Sequence, residues 1–177
     1  MPQRILINAE RYGQAAALAL DTFRRFARAR GHYNNTPNSH LRGKIGEIAC
    51  DCWLQGEGIE TEAVFQDLDR MREADLVLGT RRIDVKTWDE RYWGEMGRCV
   101  AVAQIERLRA KADGVLWCVT PSELGPEIEV EIVGWNTIDD ITRAPRRTTG
   151  PAGRRQVDNY QVDLDAVRQL DELLRSI

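Results

Sequence analysis

Residues 82–88, Arg-Ile-Asp-Val-Lys-Thr-Trp, alternate between charged and less polar side chains and read as one β-strand. Side chains at i and i+2 share a face, so Asp84 and Lys86 lie on one side and Ile83, Val85 and Thr87 on the other. The apolar side has to pack on a helix. The other side carries a carboxylate and an ammonium, and at the centre of a sheet these cost desolvation unless further charges join them. Such a strand therefore demands either converging ionisable groups or a half-solvated face. In the second case Asp84 and Lys86 form an exposed ion pair of little energetic weight.

Periodicity supplies the neighbours. Residues 9–30 read as an amphipathic helix, with Tyr12, Ala16, Ala19, Phe23 and Phe26 on one stripe and Arg24, Arg25, Arg28 and Arg30 at its end. Gly31 closes it, and Asn34, Asn35, Pro37 and Asn38 form a loop. A second helix spans roughly 39–55, with Ser39 as its N-cap and Leu41, Ile45, Ile48 and Cys52 inward. Gly43 and Gly46, three apart on it, allow a close approach to a sheet or a ligand. Short strands follow at 59–65, 74–79 and 82–88, with Gly79-Thr80 as a hairpin turn. Residues 100–112 read as a helix with Val102, Ile105 and Leu108 inward and Arg107, Arg109 and Lys111 outward. Val115 to Thr120 suit a buried strand, and 127–135 an edge or hairpin strand with a charged face. Residues 142–156 read as a loop and about 163–176 as a final helix. The 177 residues suit one domain, with neither repeats nor a linker to divide it.

Charge needs reading by block. The net charge is −3, yet residues 1–48 and 142–156 each carry +5, diluted by acidic stretches elsewhere. The total therefore does not exclude a polyanion partner. No apolar run approaches the roughly 18 residues of a membrane span, and the N-terminus shows no signal-peptide pattern, so a cytoplasmic protein without a membrane segment is expected. Cys50, Cys52, Cys99 and Cys118 are then reduced thiols, without the C-x-x-C spacing of a zinc site. Of the 25 basic residues only Lys44, Lys86 and Lys111 are lysine.

The ionisable residues in unusual places are Glu47, beside Gly46 on the second helix, Asp75 at the opening of a strand, and Asp84 with Lys86 on the next strand. Converging carboxylates suit a hard cation such as Mg²⁺, which takes oxygen ligands and keeps several waters. A compact ammonium can orient or help deprotonate a metal-bound water, whereas a guanidinium stays charged and broad. Lys86 is thus the lysine with chemistry to do, while Lys44 and Lys111 have ordinary helix-surface explanations. Together these residues suit phosphodiester hydrolysis.

Gly43-Lys44-x-Gly46-Glu47 on a helix, then Asp75, then Asp84-x-Lys86, in an αβββαβ order, resembles the PD-(D/E)xK, or restriction-endonuclease-like, nuclease superfamily over roughly residues 39–120. The family's proline before its first Asp is Ala74 here. The resemblance implies an α/β fold with a mixed central sheet flanked by helices. The 9–30 helix and a C-terminal strand and helix over 121–177 are additions to that core. It implies that Asp75, Asp84 and Glu47 bind Mg²⁺ (or Mn²⁺), that Lys86 is the catalytic lysine, and that Gln104 on the following helix supports the site. It also implies a DNA endonuclease of phage, restriction, repair or junction-resolving type. Members that cut both strands are usually dimers, and the 9–30 helix could supply a homodimer interface. Arg42, Lys44, Arg146, Arg147, Arg154 and Arg155, from the two basic blocks, are candidate DNA contacts.

Plainer readings stand beside these. Glu47 suits a solvent-facing helix residue paired with Lys44, Asp75 a turn acid, and Gln104 a polar residue at a helix start. His32 and His40 read as surface-loop residues. Trp88, Tyr92 and Trp93 read as packing residues, with stacking on an unpaired base as the alternative. The competing classes are a catalytically inactive nuclease-fold nucleic-acid-binding or assembly module, and an unrelated α/β protein with a coincidental Asp-x-Lys.

Overall fold

The computed structural model describes residues 1–26, 36–70, 72–150 and 156–177. Arg28, Arg30, Gly31, His32, Asn34, Asn35, Arg154 and Arg155, all named above, lie outside them.

The strand around Asp84 is β3 (Arg81–Asp89), an interior strand of a five-stranded sheet, between β5 and β2. The other members are β1 (Gln3–Ile7), β2 (Leu76–Leu78), β5 (Gly114–Thr120) and β6 (Ile128–Thr137), in the order β1-β6-β5-β3-β2. β3 and β5 are parallel and every other pair is antiparallel. A parallel pair needs a crossover. Here it consists of α3 (Glu90–Met96), β4 (Cys99–Ala101), a 3₁₀ turn and α4 (Ile105–Lys111). The fold is thus mixed α/β, with a mixed sheet between helices.

One face of the sheet is covered by α1 (Ala9–Phe26) and α2 (Pro37–Gly56). Ile83 and Val85 of β3 share this cluster with Ile45, Ile48 and Ala49 of α2. The opposite face carries Val115 and Trp117, packed with Ile105 and Leu108 of α4 and with Ile138 and Ile141 of α5 (Ile138–Arg143). A small sheet, β4-β8-β7, extends that side, with β7 (Arg146–Thr149) and β8 (Val157–Gln161). Near the C-terminus, α6 (Leu170–Leu174) brings Leu170 and Leu173 into the cluster beneath α2.

Several elements differ from expectation. The N-cap of α2 is Thr36, in a capping box with Ser39, because Pro37 is preorganised for the first helical turn. Residues 59–65 form a 3₁₀ turn over Val64–Gln66 and touch β2 only through a Glu62–Val77 bridge. The 100–112 helix is shortened to α4 because Cys99–Ala101 pair with β8. The 127–135 strand is interior, since β1 pairs along its free side. Residues 146–149 of the expected loop form β7, and the final helix reduces to a 3₁₀ turn and α6. The hairpin at Gly79-Thr80 is present, with Gly79 at φ 59°, as a turn with a left-handed first central residue requires.

Of the two glycines on α2, only Gly46 is needed for close approach, since nothing lies near a side chain at Gly43. A methyl group on Gly46 would overlap the Thr87 hydroxyl and come within 3.0 Å of both Thr87 Cβ and Cγ2, so rotating Thr87 gives no escape. Gly46→Ala is therefore expected to destabilise by about 1–3 kcal/mol, although Ala is the better helix former. Urea unfolding should show this loss, and a Thr87→Ala background, which removes the hydroxyl and the methyl but keeps Cβ, should relieve most of it. A more stable Gly46→Ala in the wild-type background would contradict the contact.

Candidate metal and phosphodiester site

Asp84 is buried at 1% exposure on the face of β3 that looks toward α4. Lys86, two residues on along the same face, puts its Nζ 2.5 Å from Asp84 Oδ2, and the Lys111 ammonium pairs with Oδ1. Neither oxygen makes a well-oriented hydrogen bond, so the carboxylate is held mainly by charge. Burial alone would raise the Asp84 pKa, but Lys86 and Lys111 outweigh it and bring it down to about 2. Burial would likewise lower the Lys111 ammonium, and Asp84 and Asp75 hold it above the ordinary lysine range.

Asp75 precedes β2 and is fastened to the same place. Its N–H donates to the Ile83 carbonyl at 2.9 Å, and its Oδ2 accepts the Val85 N–H at 2.7 Å. The carboxyl thus lies against the Asp84–Val85 peptide. Burial first, then the charges of Asp84 and Glu47, push its pKa up to about 7. Glu47, on the buried middle of α2, bonds the Lys44 ammonium at 2.6 Å, and Lys44 also reaches the Phe65 carbonyl at 3.3 Å. Glu47 and Asp75 both line a cavity of about 170 Å³, with Lys44 and Phe65 in its wall.

The structure therefore gathers Glu47, Asp75, Asp84 and Lys86 around β3. It also gathers the two lysines expected on helix surfaces. Lys44 is 5% exposed, and Lys111 turns inward from the last turn of α4. A sequence signal existed for both. Lys44 stands three residues after Leu41 on the inward stripe of α2, and Lys111 three after Leu108 on that of α4. Glu47 is paired with Lys44 as the plainer reading had it, but it is buried rather than solvent-facing.

Other candidates take different places. Gln104 is exposed at the N-cap of α4 and makes no capping bond, with the helix between it and Lys111. Arg42 is spent on structure. Its guanidinium bonds Thr120, the carbonyls of Pro121 and Ser122, and Asp89, tying α2 to the ends of β3 and β5. Lys44, buried against Glu47, is likewise not an outward phosphate contact. Arg146 stacks on Tyr160 and Arg147 pairs with Asp163, both in the small sheet. His40 packs edge-on against Phe23. Trp93 is packed in the core on the α4 side, stacked with Arg98, while Tyr92 is 43% exposed beside Arg91.

Two carboxylates held at one peptide, with a third facing a shared cavity, provide the oxygen donors a divalent cation takes. Asp84 would have to exchange its contacts with Lys86 and Lys111 for the cation. Among the described residues, no three His, Cys, Asp or Glu side chains are close enough to encage an ion. A cation would be held by Asp75, Asp84 and water, with Glu47 joining if it left Lys44.

No protein family, no curated protein and no solved structure matches this chain.

The pKa directions give a stability test in metal-free buffer. Asp75 holds its proton more tightly folded than unfolded, so its contribution falls as pH rises from about 4 to about 7, by on the order of 1 kcal/mol per unit. Asp84 acts in reverse: its contribution is present above about 4 and is lost as pH falls through about 2. Asp75→Asn keeps an oxygen for the Val85 N–H and removes only the first effect. Urea midpoints of wild type and variant should diverge in the variant's favour between pH 4 and 7. Parallel curves would show that Asp75 is not forced against Asp84.

Proposed function

We propose that this protein is a metal-dependent nuclease that hydrolyses DNA phosphodiester bonds on a restriction-endonuclease-like core. The observation that carries this reading is Asp75 bound to the Asp84–Val85 peptide, with Lys86 beside Asp84. From α2 to β5 the order is α2, β2, β3, α3, β4, α4, β5, one strand short of αβββαβ ahead of the crossover and with α3 and β4 added within it. The parallel pairing of β3 with β5 and the resemblance of the Glu47, Asp75 and Asp84-x-Lys86 pattern to the PD-(D/E)xK nucleases support the core. DNA rather than RNA rests on that resemblance alone.

Asp75 and Asp84 are the residues that would hold Mg²⁺ or Mn²⁺, with Glu47 as a third carboxylate. Such a cation, when bound, polarises a phosphoryl oxygen and acidifies its water. Lys86, with a side chain 34% exposed, is the accessible ammonium beside Asp84. It orients an attacking water or stabilises negative charge developing on the phosphate. A guanidinium would stay charged there and could take no part in proton transfer. The apolar packing of β3 against α2 keeps Asp84 and Lys86 on one rigid strand.

A second reading has its own support. Lys44, Lys86 and Lys111 already neutralise Glu47 and Asp84, which suits a nuclease-fold module that binds without cutting. Supercoiled plasmid incubated with the protein and Mg²⁺ or Mn²⁺ separates the two. Wild type should nick or linearise it. Asp84→Asn and Lys86→Ala should each slow cutting by about a thousandfold, equivalent to several kcal/mol of charge stabilisation. Equal cutting by wild type and variants would sink the assignment, and binding without any cutting would establish the second reading.

A further inference from the structure

Next to the carboxylate cluster lies a larger cleft of about 580 Å³. It adjoins the site on two sides, since Lys111 lines it and so does Ala74, the neighbour of Asp75. Its charge is uneven. Arg82 lines it but is neutralised by Asp113, and Lys111 by Asp84. The one acid in the wall, Glu73, is taken by Arg70. Arg72 and Arg107 remain, and neither has an acid partner among the described residues.

Arg107 stands one turn before Lys111 on α4, whose own charge is taken by Asp84. Two uncompensated guanidiniums facing one cavity are the donors a phosphate takes. The rest of the wall is apolar, chiefly Phe26, Val77 and Ala110. A cavity of this volume suits a ligand of nucleotide size, and a double helix is too wide to enter it.

We propose that this cleft seats one unpaired nucleotide of a nucleic-acid strand, its phosphate between Arg72 and Arg107 and its base against Phe26. The assignment rests on the nuclease reading of the neighbouring site, and it specifies the substrate there as a strand that is single or frayed beside the bond to be cut. Aromatic and apolar walls hold unpaired bases by stacking, which every base can make, so the cleft selects strandedness rather than sequence.

Fluorescence anisotropy in EDTA tests this without cleavage, using a short labelled single strand and a blunt duplex of the same sequence. Wild type should bind the single strand more tightly. The double variant Arg72→Gln/Arg107→Gln should lose at least about tenfold in affinity, and its salt slope should flatten by about 0.7, the share of one phosphate contact on a single strand. Arg109→Gln, whose guanidinium pairs with Asp139 instead, should bind as wild type does. Equal binding of duplex and single strand, or a double variant that keeps wild-type affinity and slope, overturns the cleft assignment even if plasmid is cut. Arginine-dependent single-strand binding upholds it, and if that binding came with no plasmid cleavage, only the nuclease reading would fall.

Discussion

A carboxylate buried on the interior strand β3 sets the terms for everything around it. Asp84, at 1% exposure, could not stay charged in that position alone. One cation comes from its own strand, Lys86, and one from across the crossover, Lys111 at the end of α4. The second is possible only because α4 runs back over the sheet and ends where β3 passes Asp84. Removing one partner of such a buried pair costs several kcal/mol, since the other charge is left uncompensated. The crossover, the parallel pairing of β3 with β5 and the inward turn of Lys111 are thus one arrangement.

That arrangement also accounts for the choice of basic residue. The chain has 22 arginines and three lysines, and all three lysines pair with the carboxylates of this cluster. The arginines clamp and cover. Arg42 ties α2 to the ends of two strands, and Arg98 binds the carbonyls of Val162, Trp93 and Gly94 through its planar fork. A compact ammonium fits against a single buried carboxylate oxygen, whereas a fork of five donors would leave most of them unpaired there.

Much of this was legible from the residues. The alternation of Ile83, Asp84, Val85 and Lys86 marked a strand with a charged face. Gly79-Thr80 marked the hairpin that brings Asp75 back to it, and Gly46 marked the close approach of a helix. Lys44 and Lys111 carry the charge of surface residues, and only their position on the inward stripes of Leu41 and Leu108 marks them as turned inward. The small sheet was hidden for another reason. Arg146–Thr149 and Val157–Gln161 are polar, and their strand character comes from pairing with each other and with Cys99–Ala101 rather than from local pattern. β1 is similarly faint in the local pattern, because its pairing with β6 joins residues more than a hundred positions apart. Long-range pairing of this kind leaves little trace in a local window.

The proposed function depends on one physical event, the capture of a divalent cation by Asp75 and Asp84. Anomalous diffraction from crystals soaked in Mn²⁺ tests it most directly. A single strong peak within coordinating distance of both carboxylates, absent from crystals of Asp84→Asn, is the expected result. Crystals that diffract well and show no peak there, with Lys86 and Lys111 still on Asp84, would mean that the cluster is a closed salt-bridge network and not a metal site.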